Sequence, residues 1–109
     1  MSDEKKKILV PTDFTKVADC AMNHAMKLAE RTGAEVCLFH VVDKPAHIEE
    51  VLTKLNMEVD RARVWSSKVT VTPLVRVGSV YEDIGDAAAE IGATLIIMGT
   101  HGATNAMDR

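Results

Sequence analysis

Cysteine is scarce in this chain of 109 residues, and the two that occur form no Cys-x-x-Cys and no Cys/His pair at zinc-ligand spacing. That excludes a disulfide framework and a zinc module. Cys20 falls in a predicted helix and Cys37 in a predicted strand, and both are expected as small buried hydrophobes. Long apolar runs are missing too: nothing approaches the roughly 20 residues needed to span a bilayer, and the first residues are charged where a signal peptide needs an apolar stretch. The expectation is a cytoplasmic protein without a membrane partner. There is no basic excess either, since the net charge is −3 and the one basic run, Lys5-Lys6-Lys7, follows Asp3 and Glu4. It reads as a solvated strand entrance, and no nucleic-acid partner is expected.

Catalytic constellations are absent in the same way. No serine stands with a paired histidine and carboxylate, no carboxylate pair is set for acid–base work, and no Walker lysine follows the glycines. His24, His40, His47 and His101 are scattered over different elements and make no metal site, His101 alone lying where ligand chemistry is expected. A fast ATPase or kinase is therefore not expected.

What the chain does contain is a regular alternation of strand and helix, enough for one domain over 1–109. A strand over 7–12 carries Ile8, Leu9 and Val10 on both faces and so requires cover above and below. Thr15 can cap a helix over 16–32, in which Val17, Ala18, Ala21, Ala25, Leu28 and Ala29 recur at helical spacing, and Gly33 ends it. A second strand, 36–42, is apolar apart from His40. A second helix over 46–66 follows, with Ile48, Val51, Leu52, Leu55, Val59 and Ala62 on one side. In the third strand Val69, Val71, Val75 and Val77 alternate with polar residues around Pro73. A residue with no N–H is tolerated mainly at a sheet edge. A helix over 80–91 turns Val80, Ile84, Ala87, Ala88 and Ile91 inward, Gly92 stops it, and an apolar fourth strand covers 94–98. Met22, Met26 and Met98 are expected as core filler, and Trp65 as a packing residue.

These elements predict an α/β fold: a single open parallel sheet, Rossmann-like, with helices on both faces and strand order 3-2-1-4. The winding reverses between the first and fourth strands, and ligands of such sheets bind beyond the carboxyl ends at that reversal. Those ends are Pro11-Thr12-Asp13 and Met98-Gly99-Thr100-His101-Gly102. The Gly-x-x-Gly turn lets backbone N–H groups converge on an anion. Asp13 has two compatible readings, one as a local acceptor for N–H groups at the start of the first helix, the other as a contact to the base or ribose of a nucleotide. Pro11 shapes the floor, Val41 offers its backbone, and His101 has the chemistry to donate to phosphate.

Lys-Ile-Leu-Val-Pro-Thr-Asp-Phe-Thr at 7–15, Leu38-Phe39-His40-Val41-Val42, the Gly78 turn and the segment from Leu95 to Gly102 together resemble the universal stress protein family along essentially the whole chain. The resemblance implies a small adenine-nucleotide-binding domain, usually homodimeric, induced under stress and without a firm enzymatic role. Asp13 and Val41 would then hold the adenine, Pro11 and Gly99 would border the ribose, and Gly102 would lie against phosphate, with ATP as the ligand and magnesium an optional companion. The family's ATP-binding pattern continues to a further Gly-Ser or Gly-Thr that would fall beyond Arg109, so the last helix and the fifth strand are expected to be missing. Two lost donors to a charged group, at about 1.5–3 kcal/mol each, would weaken ATP binding by roughly two to four powers of ten. The fourth strand would be left as an apolar outer edge, so that either the chain is a piece of a longer protein or a second copy covers that edge. A homodimeric adaptor that binds no nucleotide is the alternative reading. An adenylating enzyme would need a glycine- and serine-rich loop where Pro11-Thr12-Asp13-Phe14-Thr15 stands.

Overall fold

Ile8, Leu9 and Val10 are each at most 2% exposed, so β1 (Lys7–Pro11) is covered on both faces, as its unbroken apolar run demands. The computed structural model describes residues 6–99. The Val80 side chain and the predicted site residues His101 and Gly102 lie outside the described residues. After β1 come α1 (Lys16–Thr32), β2 (Glu35–Val42), a 3-10 turn at Pro45–His47 and α2 (Ile48–Trp65), then β3 (Val71–Val77), α3 (Val80–Ile91) and β4 (Leu95–Ile96). The four strands are parallel in the order β3-β2-β1-β4, the predicted arrangement.

Strand periodicity sorts the core into two layers. Ile8, Val10, Val36, Leu38 and Val71 pack with Ala21, Ala25, Met26 and Ala29 of α1 and with Val51, Leu55, Val59 and Ala62 of α2. The intervening residues Leu9, Cys37 and Phe39 turn to the other face and meet Ala87, with Ile84, Ala88 and Ile91 of α3 alongside. Two helices thus cover one face and a single helix the other. β3 is the edge strand that Pro73 called for, paired from Val36↔Val71 to Val42↔Val77 on β2 alone.

The ends of α1 are set by local chemistry. The Thr15 hydroxyl accepts from Ala18 N at 3.4 Å, and Gly33 at φ 80° closes the helix with its N–H on the Ala29 carbonyl, a backbone region open to glycine at no steric cost. At the far end of α2, buried Ser66 donates to Glu30 Oε2 at 2.6 Å and ties the two helices together.

Several expectations are corrected. β4 is limited to Leu95–Ile96, against the predicted 94–98, although Thr94 N reaches Lys7 O at 2.9 Å and Ile97 N reaches Leu9 O at 3.0 Å. The next group β1 would turn toward β4 is the nitrogen of Pro11, which carries no hydrogen, and the ladder ends there. The second helix divides into the 3-10 turn and α2, with Pro45 at the start of the turn. Cys20 is exposed, because it falls between Ala18 and Ala21 and off the inward stripe of α1. Cys37 is buried as expected, and burial pushes its thiol above the ordinary value of 9.0 against smaller opposing effects of a Thr72 hydrogen bond and of Lys7. Trp65 is 53% exposed at the last residue of α2, where it lines a shallow groove with Met22, Met26 and Arg61. Met98 is 41% exposed, so it is no core filler.

Candidate functional site

The sheet reverses its winding between β1 and β4, and a cavity of about 220 Å³ opens at the carboxyl ends of the central strands. Pro11, Thr12 and Asp13 enter it from the end of β1, Phe39, His40 and Val41 from β2, and Met98 and Gly99 from the segment after β4. Ala18 of α1 and Ile84 of α3 complete the wall. The structure therefore brings Pro11, Thr12, Asp13, Val41, Met98 and Gly99 to one cavity. Ile84, Met98 and Ala18 supply apolar surface, whereas Thr12, Asp13 and His40 supply polar groups.

The β1–α1 loop is built by its own hydrogen bonds. Thr12 N donates to the Phe39 carbonyl at 2.8 Å, which continues the β1–β2 ladder one residue past the strand. The Thr12 hydroxyl accepts from Phe14 N at 3.0 Å. Asp13 Oδ1 accepts from Thr15 N at 3.1 Å and from the Thr15 hydroxyl. This is the local role expected of a short acid before a helix. The N-cap and the cavity rim are thus one structure, so the two readings of Asp13 are compatible in geometry.

Between them, Phe14 adopts φ 65°. A bulky residue in the left-handed region is uncommon and costs on the order of 1–3 kcal/mol, a strain that persists only where neighbours hold it. The neighbours are present: the His40 ring lies 5.0 Å away at 44°, and Lys54 Nζ is 5.5 Å from the Phe14 centroid.

His40 is the residue that sequence reasoning missed. Its Nδ1 is 2.6 Å from the Thr12 carbonyl oxygen, and it lines both the cavity and a neighbouring cleft with Val42, Asp43, His47, Glu50 and Val51. The available signal was a lone polar residue near the carboxyl end of an otherwise apolar central strand. In that cleft His47 Nδ1 meets Asp43 Oδ1 at 3.1 Å, an exposed pair. Among the described residues no group of three His, Cys, Asp or Glu side chains is arranged to hold a metal ion.

Gly99 fixes how the segment after β4 reaches the cavity. Val17 of α1 presses so close on it that no Cβ fits.

Comparison with known proteins agrees with this architecture. A model of the universal stress protein family matches residues 5–109. The chain is 29% identical over 133 aligned residues to universal stress protein MJ0577 of Methanocaldococcus jannaschii, a match spanning 96% of this chain and 82% of that protein. A crystal structure from the universal stress protein family of Burkholderia pseudomallei is 30% identical, with a TM-score of 0.71 over 100% of this chain and 92% of the other. A universal stress protein crystallised in complex with cAMP shares the fold at a TM-score of 0.73 and 21% identity, over 94% of this chain and 82% of its own.

Proposed function

This chain belongs to the universal stress protein family, and from that premise we propose that it is a cytoplasmic stress-response protein that binds an adenine nucleotide, ATP, in the cavity between β1 and β4. It works as a regulatory switch rather than as a fast enzyme. The observation that carries the reading is the convergence of Pro11, Thr12, Asp13, Val41, Met98 and Gly99 on one cavity at the point where the sheet reverses.

The chemistry of the walls fits a purine. Ile84 and Met98, with Ala18 at the margin, give apolar surface for a flat ring, and the Asp13 carboxylate and the Val41 backbone suit its polar edge. At about 220 Å³ the cavity is smaller than the common range of roughly 300–1,000 Å³. It suits a base and part of its sugar; His101 and Gly102, set against phosphate by the family resemblance, and any magnesium there belong to the residues that follow Gly99 in sequence. The regulatory half of the reading rests on the lining groups themselves. Asp13 and Nδ1 of His40 both serve the loop's own hydrogen bonds, so these groups act first in shaping the cavity rim.

Calorimetric titration with ATP, adenosine and GTP tests the proposal. Saturable binding of ATP over GTP is expected, and Ile84→Trp, which fills the cavity, weakens it at least tenfold. Absence of ATP binding at millimolar concentration, or equal binding by the filled variant, overturns it.

The adaptor reading has one observation in its favour: Leu95, Ile96 and Met98 are 42%, 39% and 41% exposed along the outer edge of the sheet. A homodimer that forms equally with and without ATP, and that retains no nucleotide on purification, would favour it.

A further inference from the structure

Phe14 carries the turn from β1 into α1 with φ 65°, and two other elements hold its ring, His40 from β2 and Lys54 from α2. His40 also grips the loop through the Thr12 carbonyl oxygen, 2.6 Å from Nδ1. A carbonyl only accepts, so Nδ1 bears the hydrogen and the neutral ring has none on Nε2. Asp13 sits between the two gripped residues. It is exposed, and its carboxylate bonds locally to Thr15, two residues further along the same loop.

We propose that Lys54, Phe14 and His40 form a clasp that holds the β1–α1 loop in its ligand-ready shape, with His40 and Phe14 as positioning residues for Asp13. The inference rests on the reading of the cavity as a nucleotide site, because the clasp positions the rim of that cavity. β2 supplies both partners of the Thr12 peptide groups, the Phe39 carbonyl to its N–H and the His40 ring to its carbonyl, so the loop is registered to the centre of the sheet at one residue. Phe14 then reverses the backbone two residues later, and Lys54 extends the hold to α2. A loop ordered before the ligand arrives loses less entropy on binding, which is how a residue raises affinity by holding another in place.

Three measurements decide the matter. Nitrogen-15 NMR of the His40 ring in the unsubstituted protein is expected to report the Nδ1–H tautomer, and the Nε2–H tautomer overturns the clasp. In ATP titrations the affinity of His40→Asn, whose amide nitrogen takes the place of Nδ1 but which leaves no ring against Phe14, is expected to fall about threefold, and that of His40→Phe, which keeps a ring but no donor, about tenfold. Wild-type affinity in His40→Phe, or a greater loss in His40→Asn than in His40→Phe, overturns it. Amide exchange of Asp13 and Phe14 without nucleotide is expected to accelerate in His40→Phe, and unchanged exchange overturns it. Should wild type bind no ATP, the nucleotide reading fails, and the tautomer and the exchange rates decide the clasp alone.

Discussion

A Cβ on Gly99 would collide with Val17 Cγ1 and stand 2.6 Å from the Val17 carbonyl oxygen, so the segment after β4 rests directly on the first turn of α1. Gly99→Ala is expected to destabilise the fold by about 1–3 kcal/mol through overpacking. Adding Val17→Ala relieves only the side-chain half of the clash, because the carbonyl stays in place. Urea unfolding midpoints of the two variants and wild type check this, and an unchanged midpoint for Gly99→Ala refutes it.

Leu55 and Met57 are close neighbours on α2, yet the first is fully buried and the second is 60% exposed. Leu55→Ala opens a cavity between α2 and the sheet and is expected to cost about 2–5 kcal/mol. Met57→Ala is expected to stay within about 0.5 kcal/mol of wild type. Thermal and urea unfolding of the pair give the comparison directly.

The two thiols are expected to separate by reactivity. Cys20 reacts with a thiol reagent at the rate of an exposed cysteine, and Cys37 reacts only as the protein opens. Burial also raises the Cys37 thiol above 9.0 in the folded state. An acid raised by folding contributes stability that is whole below its unfolded value and drains away as pH climbs from there through the folded value. Wild type is therefore expected to lose more stability above pH 9.0 than Cys37→Ala does, and parallel pH profiles for the two proteins contradict the assignment.

Much of the topology was legible because it rests on local rules. Pro73 marked β3 as an edge, Gly33 and Gly92 marked helix ends, and the two-sided apolar run at Ile8 to Val10 required a central strand. The order 3-2-1-4 follows once those are combined. What escaped depends on relations between distant residues. The shortness of β4 follows from the missing Pro11 N–H, and strand order alone leaves open which neighbour of β1 that nitrogen faces. Cys20 and Trp65 were assigned by residue type, and their exposure is a matter of helical phase against the sheet. His40 looked like one polar residue in a strand, because its partners Thr12 and Phe14 lie far back in the sequence. The cavity itself was legible as two strand ends, and its inner wall at Ile84 was not.

The uneven cover of the sheet has a mechanical consequence. α1 and α2 share a broad apolar layer, while α3 is held over Leu9, Cys37 and Phe39 with Ala87 as its one fully enclosed side chain among the described residues. Helix α3 is then the first part to breathe on warming, ahead of the opposite layer. A small molecule wedged between Ile84 and Asp13 would stitch that loose helix to the middle of the sheet, and occupancy would be felt as stiffening on the thinly clad side of the protein.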